Sequence, residues 1–495
     1  MTERLTLASL ARLDPSMRPS IDPRSVSVGV VHLGLGAFHR AHQAVYTEAA
    51  MANTGDTGWG ICGVTQRSRS VVDALAPQDC LYSVLERQDG SSRVSVVGAV
   101  RQVLFAREDS DELLVRLSQP TTRVVTLTVT EKGYRHDPAT GRLRRDDPEV
   151  AADAAGRVPA TVVGQLGRGL QRRYRTGGAP LAVVSCDNLP GNGRLLGRLV
   201  EDFLTMLPAE DTRGLAEWVA GNVTFPCTMV DRIVPASTDQ DRADAAGMLG
   251  LDDHAVVVAE PFSQWVIEDR FPAARPAWEE GGAVLTGDVE PYEAMKLRLL
   301  NGSHSALAYL GSLAGHEFIS DAIRAEGYEA YVHALMDKDV TPTLQVPFGF
   351  DLDAYKTDLR TRFANQALRH STVQVAMDGT QKLPQRLLPV IRQRLAAGDE
   401  PRLACLAVAG WMRFVAAGRS DDGRPLPLDD PLAQLLRDRV GEAGSARAVA
   451  DALLGVEEVF GPDLGRDPAF RSLVTEALAD VTRHGAAETV RAATR

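Results

Sequence analysis

Cysteine is scarce in this chain of 495 residues. Only five are present, an odd number, and no two of them form a Cys-x-x-Cys pair. Their positions are Cys62, Cys80, Cys186, Cys227 and Cys405. This usage is typical of reduced thiols in a cytoplasm and provides no cysteine-based zinc site. We therefore expect a cytoplasmic protein that holds no metal.

Long apolar runs and a positive charge balance are also missing. No run reaches the roughly 18–20 apolar residues that span a bilayer. The first 25 residues are polar and contain three prolines, unlike a signal peptide. The formal net charge of -11 disfavours nucleic-acid binding, which needs a basic face. We expect a small-molecule partner, no membrane and no nucleic acid; the oligomeric state is not readable from the sequence.

Lysine is rare as well, because arginine supplies most of the basic residues. The five lysines are Lys132, Lys296, Lys338, Lys356 and Lys382. Arginine stays protonated near neutral pH, whereas a buried lysine can lose its proton. Each lysine is therefore a candidate proton acceptor, and its neighbours decide between that role and an ordinary solvated side chain.

Apolar strands alternate with helices in the first part of the chain. Patterns typical of strands cover residues 28–33, 59–64, 94–104, 123–130 and 181–185. This alternation predicts a parallel sheet covered on both faces. From about Pro291 onward the sequence is mostly helical. The length also favours two domains, so we predict an α/β domain to about residue 285 and a helical domain after it.

The first predicted strand runs into a glycine pair. Gly34 and Gly36 lie before a helical pattern, where glycines let a pyrophosphate approach the amides at a helix N-terminus. The third position of G-x-G-x-x-G is His39, and Arg40 beside it could hold a phosphate oxygen. The turn predicts a nucleotide site; the competing interpretation is a tight turn without a ligand.

No acidic residue follows the second predicted strand. Dinucleotide-binding domains that select NAD commonly place an acid there on the ribose hydroxyl, whereas arginine tolerates the phosphate of NADP. Here the residues are TQRSR, at positions 65–69, with Arg67 at the centre. The choice between NAD and NADP is therefore open at this stage.

Residues 293–304 place several polar side chains on one side of a predicted helix. At about 100° per residue, Lys296, His304 and Asn301 lie at about 0°, 80° and 140°, and Glu293 at about 60°. Such residues are poor core material, so their shared face favours a polar ligand. A structural interpretation competes, because a single helical lysine is usually solvated and a single histidine usually structural.

These residue types suit the oxidation of a secondary alcohol. A desolvated lysine can take the hydroxyl proton near neutral pH as hydride leaves the carbon. The developing alkoxide needs fixed donors, and side-chain amides can supply them. Asn301 is one candidate, and Asn188 is another because it follows a strand, at the edge where α/β sheets bind ligands. His304 could orient the substrate or share its proton.

The motifs together resemble the mannitol dehydrogenase family, the polyol-specific long-chain dehydrogenases. The matching segments are GLGAFHRAHQA (34–44), Gln78-Asp79 with Leu81-Tyr82, TVTEKGY (128–134), SCDN (185–188), MVDRI (229–233), the Lys296, Asn301 and His304 set, Arg362-Phe363 with Asn365, and Asp378-Gly379 with Lys382. The resemblance implies a Rossmann-type, doubly wound domain over residues 1–285. It also implies a mostly helical domain over 286–495, as in 6-phosphogluconate dehydrogenase-like folds, with a metal-free active site between the two.

The resemblance also implies roles for individual residues. Lys296 becomes the general base, with an oxyanion hole formed by Asn188 and Asn301. His304 becomes a substrate contact. The residues that match the family's substrate site are Asp231, Lys382 and Glu293, the last as an acid that relays protons to solvent. The cofactor is NAD, with NADP not excluded, and its predicted contacts are Gly34, Gly36, Phe38, Arg40 and Arg67.

The substrate within the family is open. Some mannitol enzymes carry an arginine eight residues before the late lysine, where this chain has Gln374. Residues 374–388 resemble instead the fructuronate reductase branch, which interconverts fructuronate and mannonate. Lys382, Arg386 or Arg369 could pair with the carboxylate of such a substrate. We expect either the mannitol/fructose pair or the mannonate/fructuronate pair.

Three other functions are alternatives. Tyr292 and Lys296 fit the Tyr-x-x-x-Lys of short-chain dehydrogenases, in which tyrosine is the base, although the glycine motif of that class is absent from the N-terminus. A Gly-x-Gly turn also cradles S-adenosylmethionine in methyltransferases. A nucleotide-sensing protein would bind NADH without turning over any substrate.

Overall fold

The computed structural model describes residues 3–137, 140–208, 212–441 and 443–494. The chain divides into two units, Met1–Glu290 and Pro291–Arg495. The first unit carries the strands of the parallel sheet, and the second unit is built from helices. None of the helices in the described ranges has both the length and the apolar character needed to cross a bilayer.

A six-stranded parallel sheet forms the centre of the first unit. Its strands are β1 (Val28–Leu33), β2 (Gly60–Thr65), β3 (Val100–Phe105), β4 (Val124–Leu127), β5 (Leu181–Ser185) and β6 (Val223–Thr224). They lie in the spatial order β6-β5-β4-β1-β2-β3. This is the order of a doubly wound dinucleotide-binding sheet, in which the chain changes direction of winding between β1 and β4.

The strands form because they are short valine-rich runs that can be buried on both faces. In β1, Val31 belongs to the apolar cluster on one face and Val30 to the cluster on the other. The helices around this sheet are Ala37–Ala41, Gln43–Thr54, Ser70–Leu75, Ser110–Ser118, Pro148–Ala154, Val162–Arg175, Asn192–Leu204 and Leu215–Asn222, whereas Asp239–Leu249 packs on a smaller sheet. The sheet is therefore enclosed, and its carboxyl edge is the part left for a ligand.

The expectation of one strand over residues 94–104 is wrong. Two strands occupy this region: Ser91–Val97 pairs antiparallel with Tyr82–Gln88, whereas β3 joins the parallel sheet beside β2. The break falls at Gly98 and Ala99, whose N–H groups donate to the buried Glu48 carboxylate at 2.5 and 3.0 Å. A carboxylate from a distant helix thus takes the backbone donors that a continuous strand would have used.

Two three-stranded sheets and a two-stranded pair, His136–Asp137 with Arg142–Leu143, are also described in the first unit. Tyr82–Gln88 lies between Ser91–Val97 and Val257–Ala259, and Gln264–Glu268 lies between Thr228–Asp231 and Val284–Thr286. The second of these sheets carries the MVDRI segment. All five cysteines are buried and unpaired.

The second unit packs around two long apolar helices, Gly302–Leu313 and Arg402–Ala417. Every residue of Gly302–Leu313 is buried. The other α-helices are Glu290–Met295, Ile319–Arg324, Tyr328–Ala334, Leu352–Phe363, Thr372–Ala376, Gly379–Arg386, Leu388–Ala396, Ala433–Val440, Ala446–Leu454, Glu457–Leu464, Pro468–His484 and Ala486–Ala492. Two π-helical turns, Lys296–Asn301 and Leu335–Val340, interrupt the α-helical geometry.

Candidate active site

The glycine pair forms an open turn at the end of β1. Gly34 has a φ of +101°, and a Cβ there would lie 2.1 Å from the carbonyl oxygen of Thr128. Gly36 is exposed, and a Cβ there would meet nothing closer than 3.8 Å. No side chain caps the helix that starts after Gly36. The turn lies where the winding of the sheet reverses, and the helix after it starts without a side-chain cap, so its position fits the pyrophosphate of a dinucleotide.

The two residues after Phe38 are buried in the protein. The His39 ring stacks on the ring of His32, with centroids 3.4 Å apart. Arg40 donates to the carbonyl oxygens of Gly36, at 3.3 Å, and Ala255. The guanidinium of Arg40 thus binds backbone carbonyls of the protein itself. That Arg40 contacts a phosphate stays a prediction, and the structure adds no support for it. Phe38 itself is half-buried beside His42.

Arg67 is exposed just beyond the end of β2. Its guanidinium makes no hydrogen bond or ion pair with the residues that the structure describes. Arg69 differs, because it pairs with Asp73 at 3.0 Å and with Glu108. Of these two arginines, Arg67 is the one whose charge is available to a ligand at this edge of the sheet.

Asn188 follows β5 and is exposed. The strand end before it is tied to the neighbouring segment Thr228–Asp231, since Asn192 donates to the carbonyl oxygens of Asp187 and Thr228, each at 2.9 Å. Asp231 ends that segment and is buried. The segments that carry Asn188 and Asp231 are thus linked by hydrogen bonds within the first unit.

In the second unit, Lys296 and Asn301 are the first and last residues of a π-helical turn. The prediction of a regular α-helix through this segment is wrong at these six residues, Lys296–Asn301. The π-turn is wider than an α-turn, so the angles calculated at 100° per residue do not apply to it. Such turns are frequent at functional sites. Lys296, Asn301 and His304 are nevertheless all buried.

The side-chain amide of Asn301 is buried without a partner. Its Nδ2 atom makes no hydrogen bond with any described residue. An unsatisfied buried donor costs free energy, on the order of 1–3 kcal/mol, and calls for an explanation. An oxygen atom of a ligand beside Lys296 and His304 would provide one.

Basic side chains surround His304. Its ring lies 4.8 Å from the ring of His370 and 5.3 Å from that of Phe363. Burial first, and then the nearby charges of His370, Arg386, Lys382 and Arg362, hold the pKa of His304 well below its usual value. The imidazole is therefore neutral at physiological pH, and it can donate or accept a hydrogen bond.

Lys382 and Arg386 are half-buried cations of the same group. Burial, with the charge of Arg386, lowers the pKa of Lys382 to about 8. Lys382 donates to the carbonyl oxygen of Val375 at 3.1 Å, and Arg386 to Ser305 Oγ at 3.0 Å and the Asn301 carbonyl at 3.4 Å. Neither forms an ion pair within the described residues.

Comparison with known proteins decides the family. The model for the mannitol dehydrogenase Rossmann domain matches residues 28–280, and that for the mannitol dehydrogenase C-terminal domain matches residues 288–482. The chain belongs to the mannitol dehydrogenase family. The predicted family and the predicted fold class are both confirmed.

Three relatives illustrate the similarity. D-mannonate oxidoreductase from Escherichia coli (strain K12) is 42% identical, over 97% of this chain and 98% of the relative. Mannitol 2-dehydrogenase from Pyrenophora tritici-repentis is 37% identical, over 98% of this chain and 85% of the relative. A solved mannitol 2-dehydrogenase of Pseudomonas fluorescens, in ternary complex with NAD and D-mannitol, is 37% identical with a TM-score of 0.87, covering 99% of each chain.

Two predicted substrate-site residues remain, Glu293 and Arg369, and they differ in their surroundings. Glu293 is half-buried on the turn before Lys296. Arg369 is exposed, with its guanidinium 4.7 Å above the ring of Phe318, and it makes none of the contacts around His304. Its role in substrate binding stays a prediction.

Sequence reasoning gave no role to His370 or Arg362. His370 lies beside His304 only through tertiary packing, and no local sequence pattern predicts that contact. Arg362 stands in a segment that already matched the family, so that match was the signal that could have found it.

A metal site is also absent from the charged side chains that the structure describes. These residues contain no cluster of three or more His, Cys, Asp or Glu suited to a metal ion.

The lowered pKa of Lys382 is open to direct measurement. Selective 15N labelling resolves five lysine amines, and we expect one to titrate at about pH 8 and to be absent from Lys382→Met. Arg386→Met removes a neighbouring charge and should raise this pKa. Lys356 is the internal reference, because Asp337 and Asp353 raise its pKa although burial opposes them. Titration of Lys382 at its usual value of 10.5 would contradict the arrangement.

Proposed function

We propose that the protein is an NAD-dependent, metal-independent oxidoreductase that interconverts a secondary alcohol of a linear polyol or aldonate with the matching ketone. The observation that carries the proposal is the buried, unpartnered amide of Asn301 in the π-turn that also presents Lys296. Family membership and the open Gly34–Gly36 turn support the dinucleotide. NAD is also the cofactor in the related mannitol 2-dehydrogenase complex.

Lys296 is the proposed general base. Its side chain is buried in the same π-turn as Asn301, and in its neutral form the amine accepts the carbinol proton at Nζ. Glu293 is half-buried one turn earlier, and its proposed role is to pass that proton towards solvent. When bound, NAD supplies the acceptor for the hydride that leaves the carbinol carbon, so that a C=O bond replaces the C–H and O–H bonds.

Amide donors stabilise the oxygen as its negative charge develops. Asn301 Nδ2 is the first donor, since it is buried and has no competing acceptor. We propose Asn188 as the second, in agreement with its position after a strand of the parallel sheet. Neutral His304 orients a neighbouring hydroxyl, and Asp231 accepts another. These groups do the work for which some alcohol dehydrogenases use zinc.

A carboxylate-bearing substrate fits the second unit better than a neutral polyol. Lys382 and Arg386 are half-buried and form no ion pair with a described acid, although the charge of Asp378 acts on both; such cations favour an anionic partner. A sugar-acid carboxylate would provide that anion. We therefore propose the mannonate/fructuronate pair, which agrees with the related D-mannonate oxidoreductase, and keep mannitol/fructose as the second candidate.

The cofactor choice depends on Arg67. It is exposed and available at the end of β2, where the ribose of a bound dinucleotide lies in such folds. The absence of an acid there supports tolerance of NADP in addition to NAD. Activity assays should therefore include both cofactors.

The first functional prediction concerns the base. Turnover is followed as NAD(P)H absorbance with mannonate, mannitol, arabinitol and sorbitol, and with fructuronate and fructose in reverse. We expect Lys296→Met to lower kcat by about 100-fold or more, since proton transfer is lost. Tyr292→Phe, one turn away, is the matched control and should retain kcat. A chelator should not change the rate.

Other outcomes would support other functions. Loss of activity in Tyr292→Phe with activity kept in Lys296→Met would favour the short-chain mechanism. Binding of S-adenosylmethionine without NADH binding would favour a methyltransferase. NADH binding without turnover of any of these compounds would favour a sensing protein.

The second functional prediction concerns the carboxylate. Lys382 is charged below about pH 8 and neutral above it, so the KM for mannonate should rise by about tenfold per pH unit above pH 8. Lys382→Met should raise this KM about tenfold or more at pH 7 and remove its pH dependence. The KM for mannitol should be flat in this range. Preference for mannitol with a flat KM for both compounds would contradict the substrate assignment.

A further inference from the structure

One buried carboxylate joins two loops at the carboxyl edge of the parallel sheet. Asp187, directly after β5, accepts hydrogen bonds from the N–H groups of Thr130 at 2.8 Å and Val129 at 3.1 Å. It also accepts one from the Tyr134 hydroxyl at 2.7 Å, which in turn lies 2.6 Å from Ser185 Oγ. The loop after β4 is therefore fixed to the end of β5 by side chains that are themselves buried.

The loop that Asp187 holds is strained. Thr130 has φ 65° and ψ 162°, a conformation that is essentially restricted to glycine and costs on the order of 1–3 kcal/mol elsewhere. Such conformations persist only where surrounding contacts enforce them, and they concentrate at functional sites. Here the carboxylate of Asp187 supplies the acceptor for the N–H of the strained residue.

The same loop packs on the dinucleotide turn. The Thr128 hydroxyl donates to the carbonyl oxygen of Gly34 at 2.8 Å, and the space beside Gly34 is filled by the Thr128 backbone. Contacts therefore run without a gap from the turn after β1, through the loop after β4, to Asp187 after β5. Asn188 is the next residue in the chain.

We infer that Asp187 is a positioning residue for the reaction: its carboxylate holds the strained Val129–Thr130 loop and thereby fixes Asn188 relative to the dinucleotide turn. This inference rests on the proposed function, because Asn188 is the amide donor in it. Asp187 does not touch the substrate. It sets the distance between the donor and the cofactor-binding turn, and small displacements of reacting groups cost about 100-fold in rate.

Asp153 offers a matched control within the same unit. It is also buried and accepts two backbone N–H groups, from Ala160 and Thr161, and one hydroxyl, from Thr161, at 2.6–2.9 Å. Its contacts lie at the start of the helix Val162–Arg175 and not at the ends of β4 and β5. A purely structural effect of losing a buried carboxylate should therefore appear equally at both positions.

The test compares Asp187→Asn with Asp153→Asn. An asparagine amide nitrogen would face N–H or O–H donors in either place, so both variants should melt at lower temperatures. Below those temperatures, Asp187→Asn should lose about tenfold or more in kcat with its KM changed by less than about threefold. Asp153→Asn should keep kcat within about twofold. Equal kcat in the two variants would overturn the inference.

A milder variant and a second readout make the test independent of folding and of turnover. Tyr134→Phe removes one bond to Asp187 while keeping the ring, and it should show a smaller fall in kcat. Amide hydrogen exchange in residues 128–134 should accelerate in Asp187→Asn and not in Asp153→Asn. If the wild type turns over no substrate, the proposed function fails, whereas unchanged exchange in Asp187→Asn defeats the inference itself.

Discussion

Burial of polar groups in one helical turn is the constraint on which the account of this site depends. Lys296 and Asn301 stand at the two ends of a π-turn, both are buried, and the amide of Asn301 has no partner among the described residues. Burying such groups is unfavourable unless something pairs with them. The same burial strengthens the Asn301 amide as a hydrogen-bond donor. Burial of these polar groups is therefore both unfavourable for the fold and useful for the proposed reaction.

In the first unit, strand order and not the burial of polar groups determines where the site residues lie. Its doubly wound sheet brings the ends of β1, β4 and β5 together at one edge, and strand order alone makes these three neighbours. Gly34 permits close contact with Thr128, and Asp187 holds the strained loop at Thr130. A rigid edge of this kind presents a cofactor turn and an amide donor on fixed backbone, which catalysis by position requires.

Several strands and site residues could be predicted from the sequence, because the patterns that specify them lie within short segments. β1 and β5 have the predicted bounds, because each is a short valine-rich run. Gly34 follows directly after β1, and Asp187 lies two residues after β5. The split of residues 94–104 was not predictable, because Glu48 comes from a distant helix. The π-turn was missed because its apolar spacing looks α-helical, and His370 because only tertiary packing places it beside His304. Matches to family motifs supplied the residue roles that periodicity could not.

The most direct test of the central claim is chemical rescue of Lys296→Ala by added primary amines. If a neutral amine at this position takes the carbinol proton, the variant should be inactive alone. It should regain NADH formation in proportion to the amine concentration, and more basic amines of similar size should restore more of the rate. Full activity without an amine, or inactivity at every amine concentration in a variant that still folds and binds NAD, would contradict the claim.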